Sequence, residues 1–572
     1  VAREMAVLGQ GVPPRLETTR VAMAMEKRLT AAQAAALVKD GCTLVTTGFN
    51  GFGCPEDLMM ALAEHYDKTG HPRDLTLVKC TSQGDGKGRG ISRLAEKPGM
   101  FRELILSHMG YDPGLRKLVQ EEQAACYMLP LGNLMKLFQA IAGGLPGAIA
   151  TTGLGTFADP RNGGGKINQR AKDTGREVVS LIELGGRECL FYPAFPLDVC
   201  FLRATYGDEA GNLSIRNEAM NVEQFEVAAA VHNAGGIVIA QVHQIVKRGT
   251  IPAKEVLIHG FMVDYLVEGR PEYSHQSFAN DWFRPEIAGL AQIPTEEVPP
   301  LAMGPRKICC RRAVMELRPD SLINLGIGMP GGIGSVAAEE GLSDLFTVSV
   351  ECGPIGGIPL GGMEFGASVN PEAMYRMSDT LQLYDGGALD MAVLGFAEVD
   401  RYGNVNASSF HGRMVGPGGF IDITQNAQKL CFIGTFTAGK QDVGLRDNGL
   451  VIHTPGPQKK FLAEVESITF SGREAVRKGQ EVLYITERAV FRLEKEGITL
   501  VEIAHGVDLQ RDILDQMEFQ PVIPEYIRYM DPRLFRDGPM GLPPDQMAMV
   551  DPEYEFWRDL RRPKGEGGEN RG

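Results

Sequence analysis

The 572-residue chain is too long for one hydrophobic core, so more than one domain is expected. Its 58 Lys and Arg against 72 Asp and Glu give a formal net charge of −14, which disfavours nucleic acid or an anionic membrane as a general partner. No apolar run is long enough to span a bilayer, and no N-terminal stretch reads as a secretory signal.

In chain order, the sequence begins with Val1, while Met23 and Met25 stand just before a helical pattern at 28–39. Residues 1–24 therefore read as an extension or a mis-called start. The helix-like AAQAAALVKDG leads into CTLVTTG and the glycine loop GFNGFG at 48–53, after which Pro55 opens a helix, DLMMALAEH. A proline-rich join at 285–305 holds Pro285, Pro294, Pro299, Pro300 and Pro305. Beyond it the same order returns: RRAVMELRPD, then SLINLG, then GIGMPGG at 326–332, then another helix-like stretch. Three landmarks recur in order, Gly48 with Gly326, Asn212 with Asn404, and Asn233 with Asn426. The last two pairs are separated by nearly the same interval, which points to a duplication with an insertion in the first half. Strands alternating with helical patterns make each half an open α/β domain with a mostly parallel sheet. The expected organisation is an N-terminal half at 25–284, a linker at 285–305, a C-terminal half at 306–520 and a loose polar tail at 521–572.

Ten cysteines scatter without a CxxC pair, which reads as reduced thiols in a cytoplasmic protein. Ten histidines show no HExxH or paired-ligand spacing, so no metal site is expected.

The most informative stretch is 346–368, FTVSVECGPIGGIPLGGMEFGAS. Phe346, Val348 and Val350 alternate with Thr347, Ser349 and Glu351, the two-residue period of a strand, and this makes Glu351 the last side chain on the polar face. The glycines that follow, Gly356 and Gly357 among them, leave bare backbone against which a large substrate can lie. Two chemistries compete. Residues 326–331 match GxGxxG, and Glu351 ends the next strand, as in a dinucleotide fold. Against this, Pro330 sits inside the turn, the matching first-half loop does not keep the pattern, and a ribose-binding acid needs no second glycine loop. The alternative is covalent catalysis, in which a carboxylate attacks a thioester to form an anhydride and the released thiolate returns to make a glutamyl thioester. Such chemistry needs one isolated acid, donors for two oxyanions, and a dry channel.

ECGPIGGIP at 351–359, with GAS after it, resembles the catalytic loop of the class I coenzyme A transferases, most closely the single-chain propionate or acetate branch. GFNGFGCPEDL, GLGTFADPRNGGGK, DEAGNLS, DRYGNVN and GRMVGPGGFIDITQNAQK agree, and the likeness runs from about 25 to 536. The resemblance implies two fused halves with the active site between them, and ping-pong transfer of CoA from a short-chain acyl-CoA to a free carboxylic acid. CoA is then a co-substrate, with no metal, nicotinamide or other cofactor, and a homo-oligomer is the family expectation. It makes Glu351 the nucleophile. It gives Asn404 and Gly419, with Gly418 as neighbour, the oxyanion pocket. It puts Asn50, Gly51, Phe52, Gly53, Gly356 and Gly357 against CoA. A hydrolase that passes the same intermediate to water stays open, as does a CoA-binding protein without catalysis.

Other residues have plainer readings. Cys352 stands where the family more often has Ser or Asn, and strand alternation turns it away from Glu351 as a buried filler. Cys309 and Cys310 read as core packing. Asp208, Asp400 and Asn212 read as turn formers. Lys166 is a phosphate contact or a solvated loop lysine, and His411 a substrate contact or a structural group.

Overall fold

The computed structural model describes residues 27–294, 299–410, 412–446 and 448–543. The expected N-terminal extension and His411 lie outside these. Two large sheets carry the architecture. In the first, strands run in the order Tyr265–Glu268, Ile237–Val246, Val199–Asp208, Thr43–Thr46, Leu75–Lys79, Phe101–Leu106 and Ala125–Met128, all parallel. In the second, Phe346–Ser349, Ser321–Leu325, Met391–Gly395, Lys429–Ile433 and Glu481–Ile485 form the parallel centre.

The five shared strands have the same spatial order, second–first–third–fourth–fifth, in both sheets. This bears out the duplicated α/β reading. Each sheet is buried on both faces, as a parallel sheet requires. Val45 and Val78 pack on one side of the first sheet, with Leu44 and Leu77 on the other. Ile323 and Cys431 divide in the same way from Leu430 and Phe432 in the second. The first half's insertion falls between its second and third shared strands. It supplies two further parallel strands and a three-stranded antiparallel sheet, Gly147–Ala150, Arg187–Pro193 and Ser180–Leu184.

Several local expectations shift. The helix expected over 28–39 is a single capped stretch, Ala31–Ala35, with Thr30 and Gln33 forming a capping box. The helix after Pro55 runs Glu56–Thr69, with Pro55 at its N-cap and not inside the first turn. The strand into Glu351 stops at Ser349, because the chain turns back at once into Pro354–Ile355, antiparallel to it. The part of the expected loose tail that is described, 521–543, is packed on the second half. Arg528–Tyr529 adds a parallel edge strand, and Met530, Leu534, Phe535, Met540 and Leu542 are buried. Arg311, fully buried in the helix Pro305–Val314, holds this segment by donating to the carbonyls of Arg533 at 3.4 Å, Arg536 at 2.6 Å and Gly538. Of the proline-rich join, Ile287 and Ala288 are packed away and not solvated. No helix among the described residues is long and apolar enough to cross a membrane.

The halves are stitched across polar contacts. Asp385 accepts from Lys136 and from the Thr152 hydroxyl at 2.6 Å, and Asp422 accepts the Gly132 N–H at 3.1 Å. Asp422 is fully buried, with its second oxygen unpartnered among the described residues. Burial first, and then the nearby Asp385 charge, push its carboxyl far above the ordinary carboxylate range, so it stays protonated at neutral pH. A carboxyl raised in the folded state contributes stability that is lost as pH rises toward that folded value. Asp422→Asn keeps the Gly132 acceptor but cannot ionise. The variant's unfolding free energy should exceed the native protein's increasingly with pH, at a limiting slope of about 1.4 kcal/mol per pH unit. The two curves should close at low pH, as read by thermal or denaturant unfolding across pH.

Candidate active site

In an open α/β sheet the crevice for a ligand opens beyond the carboxyl ends of the strands, where the chain order reverses. In the second half that point lies between Ser321–Leu325 and Met391–Gly395. Asn324 and Gly326 at the end of the former, Leu394 and Gly395 at the end of the latter, and Glu351 just past Phe346–Ser349 line one cleft of about 230 Å³. The first half closes it with Phe49, Asn50, Thr81, His108 and Tyr111, and the glycine turn at 416–419 forms another wall.

Glu351 occupies the turn of a hairpin, not a strand. The Val350 N–H donates to the Pro354 carbonyl at 2.9 Å and the Gly353 N–H to the Val350 carbonyl at 3.0 Å. Gly353 has φ +125°, and a Cβ there would fall 2.1 Å from the Tyr375 carbonyl oxygen, so only glycine permits this turn. The Glu351 side chain is 6 % exposed and pairs with no cation among the described residues. Burial raises its pKa, with its own peptide N–H and the Asn324 side chain opposing. Asn324 is in turn held against the Ser349 carbonyl at 3.1 Å, and the Ser349 hydroxyl lies 2.8 Å from the Tyr384 hydroxyl. The carboxylate is therefore placed by hydrogen-bonded polar neighbours and made basic by desolvation.

Gly419 is packed directly on it, since a Cβ at that position would lie 3.0 Å from Glu351 Cγ. The turn is fastened to the first half. Gly418 N–H donates to the Ser107 carbonyl at 3.3 Å, the Ser107 hydroxyl donates to the Gly418 carbonyl at 3.1 Å, and Met109 N–H donates to the Val415 carbonyl at 2.8 Å. At Gly416 a Cβ would come within 2.2 Å of the Ser107 carbonyl oxygen. On the opposite edge the Asn50 amide donates to the Phe365 carbonyl at 3.2 Å, and the Phe49 and Phe365 rings lie 6.1 Å apart.

Of the residues singled out in the sequence, Glu351, Gly418, Gly419 and Asn50 meet in this cleft. The structure does not bring Asn404 there. Its amide donates to Asp400 at 2.9 Å and accepts the Gly472 N–H at 3.0 Å, and it lines a separate groove. Asn212 does the same in the first half, donating to Asp208 at 2.9 Å and accepting the Gly260 N–H at 2.9 Å. Both Asp–Gly–Asn elements are turns whose side chains are fully engaged. Gly51 is spent on Phe278, accepting its N–H at 3.0 Å, and Phe52 is a core side chain. Gly53 packs toward Val222 with φ +63°. Gly356 and Gly357 make a tight turn against Glu372 and Val369, away from the cleft.

Cys352 is fully buried and donates to the Gly366 carbonyl at 3.0 Å, so it is a packed filler. Cys309 and Cys310 are buried free thiols on a core helix. Lys166 is paired with Glu177. Sequence reasoning missed His108, Asn324, Thr81 and Tyr111. Asn324 carried a faint signal, a lone amide at the end of the apolar run SLINLG. His108, just past the apolar ELIL of Phe101–Leu106, carried a similar one.

Residues 28–269 match the family model described as coenzyme A transferase. The chain is 42% identical over 523 residues to the caffeate CoA-transferase of Acetobacterium woodii, covering 91% of this chain and 99% of that one. It is also 42% identical to the acetate CoA-transferase YdiF of Escherichia coli O157:H7, covering 90% and 96%. The crystal structure of the acyl-CoA transferase YdiF apoenzyme superposes with a TM-score of 0.85 at 40% identity, covering 93% of this chain and 99% of that chain. The thioester complex of the same enzyme with CoA superposes with a TM-score of 0.84. With the cleft, the duplicated sheets and these relatives together, the chain belongs to the coenzyme A transferases as a single-chain member of family I, an enzyme that uses CoA as co-substrate.

Proposed function

We propose that the enzyme moves CoA from a short-chain acyl-CoA to a free carboxylic acid in two half-reactions, with Glu351 as the covalent carrier. The observation that carries this reading is a desolvated carboxylate, without a cationic partner among the described residues, in a cleft walled by both halves of the chain. A Glu351 oxygen attacks the thioester carbonyl and the C–S bond breaks, giving an acyl–glutamyl anhydride and CoA thiolate. The thiolate then attacks the glutamyl carbonyl. The new C–S bond makes a glutamyl-CoA thioester, and the acyl group leaves as a carboxylate. The acceptor acid runs the same steps in reverse.

Burial without a counter-ion suits the task. A salt bridge would stabilise the carboxylate ground state and weaken the nucleophile, whereas a desolvated carboxylate gains more as its charge disperses into the anhydride. The Gly418 N–H is committed to Ser107, which leaves the Gly419 peptide, packed on Glu351, as the backbone donor for the oxyanion. The narrow cleft, with Phe49, Phe365, Ile327 and Leu394 around it, supports a small acyl group and the exclusion of water. The halves that form it are taken as 25–284 and 306–520, joined by 285–305. The relative solved as a thioester with CoA supports covalent retention of CoA, and relatives named for caffeate and acetate support a carboxylic acid acceptor.

Glu351→Gln should lower transfer by more than ~10²-fold with the thermal transition retained. In the native enzyme kcat/KM for the acyl-CoA should fall as pH drops through a value above the ordinary glutamate range, because only the ionised form attacks. CoA release measured with and without acetate separates transfer from hydrolysis. Transfer carries CoA on to acetate as acetyl-CoA and frees none, the donor's acyl group leaving as acid once per site until acetate is added, whereas steady release of free CoA without acid would establish a hydrolase. Gly419→Ala places a methyl against Glu351 at an ordinary φ of −80°, so the carboxylate and not the backbone must move. Transfer should drop at least ~10-fold, with unfolding free energy changed by less than about 1 kcal/mol.

A further inference from the structure

His108 is the one imidazole lining the Glu351 cleft among the described residues, and its surroundings fix how it carries its proton. The Gly110 N–H donates to Nδ1 at 3.3 Å. The Ser82 hydroxyl lies 3.0 Å from the same nitrogen. Because the Gly110 N–H already needs a lone pair on Nδ1, the Ser82 hydroxyl, whose oxygen accepts the Tyr111 N–H at 3.0 Å, is the donor to that nitrogen. Two donors converging on Nδ1 require a lone pair there and assign the proton to Nε2. Lys79 and Arg116 lie close enough for their charges to oppose a second proton, and burial opposes it more, holding the pKa down to about 3. Lys79 itself is locked in a fully buried pair with Asp112 at 2.8 Å and donates to the His108 carbonyl at 2.7 Å, which anchors the residue's backbone. The Nε2–H meets no acceptor among the described residues. The Cδ2 edge of the ring lies 3.9 Å from where a Gly418 Cβ would be, with Cε1 and Nε2 over Gly110, and the next residue, Gly419, touches Glu351. A single glycine pair thus separates the imidazole from the carboxylate.

We propose that His108 Nε2–H is a catalytic hydrogen-bond donor to the acyl oxygen of the substrate, in both half-reactions. This rests on the covalent mechanism above. One oxygen persists throughout that sequence. It is the thioester carbonyl oxygen, which takes up the electron pair as Glu351 attacks. It is next the acyl carbonyl oxygen of the anhydride. It departs as one oxygen of the free carboxylate when thiolate attacks the glutamyl carbon. A donor fixed on that oxygen stabilises the charge at each stage and also docks the acceptor acid. A neutral donor is the form the chemistry needs. An imidazolium would pair with Glu351 and blunt its attack, or give its proton to the thiolate, whereas a neutral N–H holds its hydrogen.

The two amide variants separate the ring's two nitrogens. His108→Asn retains an acceptor for Ser82 and Gly110 and removes the donor in the cleft. His108→Gln reaches the position of Nε2 with an amide. With the full-length enzyme, propionyl-CoA and acetate, His108→Asn should lower kcat/KM for both substrates by roughly 10²-fold and raise KM for acetate. It should also slow single-turnover formation of the Glu351–CoA species by a similar factor. His108→Gln should recover at least a tenth of the native rate. The inference is overturned if His108→Asn stays within about threefold of the native enzyme, or if both variants fold normally and are equally slow. A native enzyme that forms no Glu351–CoA species would defeat the underlying mechanism instead. Equal rates of its formation in the native and Asn enzymes would defeat only the role of His108. Should His108→Asn not fold, nitrogen NMR of histidine-labelled native enzyme decides. Protonated Nε2 that shifts on saturation with acetate supports the assignment, and protonated Nδ1 or no response to acetate overturns it.

Discussion

One carboxylate kept from water without a compensating cation is the constraint on which the rest of this molecule turns. Burying an unpaired ionisable group is costly, and folds normally relieve the cost with a salt bridge or by leaving the acid protonated. Elsewhere in this protein both solutions occur. Asp112 is paired with Lys79 in a fully buried couple, and Asp422 is held in its acid form by burial beside Asp385. Among the described residues Glu351 receives neither a cation nor a second carboxyl, and it lines a small cleft. A group in that condition is reactive toward an electrophile that enters and displaces the last solvent.

The duplicated topology explains how such a place can be built. Each half ends its parallel strands at a switch point, and the loops there cover a ligand from one side only. The two halves face each other through the glycine turn at 416–419 on one edge and the loop at 48–53 on the other, each fastened by main-chain carbonyls of the opposite half. The arrangement is asymmetric. The second half supplies the Glu351 hairpin, and the first supplies the wall with His108, Thr81 and Asn50. Backbone-to-backbone stitching lets glycine, with no side chain in the way, bring polypeptide against the nucleophile. It also makes residues far along the chain from Glu351, such as Ser107, responsible for its geometry.

The sequence made the architecture and the nucleophile legible, because both are written locally. Strand and helix periods alternate, the glycine and Asp–Gly–Asn landmarks repeat in order, and Glu351 stands alone before its glycines. Contributions set by tertiary packing were not legible. Asn404 and Asn212 sit in matching local motifs, and only the fold shows that each amide is engaged by its turn aspartate and by a distant peptide N–H. Gly356 and Gly357 look like bare backbone awaiting a substrate, yet they are required because Glu372 and Val369 crowd them. His108 was hidden for the opposite reason, being an ordinary residue after an ordinary strand whose partners lie 26 residues earlier and two residues later. The segment after 520 reads as polar because its few apolar side chains are widely spaced, but Arg311 gathers its carbonyls and those side chains fill the second core.

Direct observation of the bond between Glu351 and CoA tests this picture most simply. The enzyme is incubated with acyl-CoA in the absence of acceptor acid, the carrier is reduced with borohydride, and the modified peptide is mapped by mass spectrometry. The account predicts a modification confined to Glu351 that disappears when acetate is added before reduction. A modification at another residue, or an unmodified enzyme that still transfers CoA at its normal rate, would contradict it.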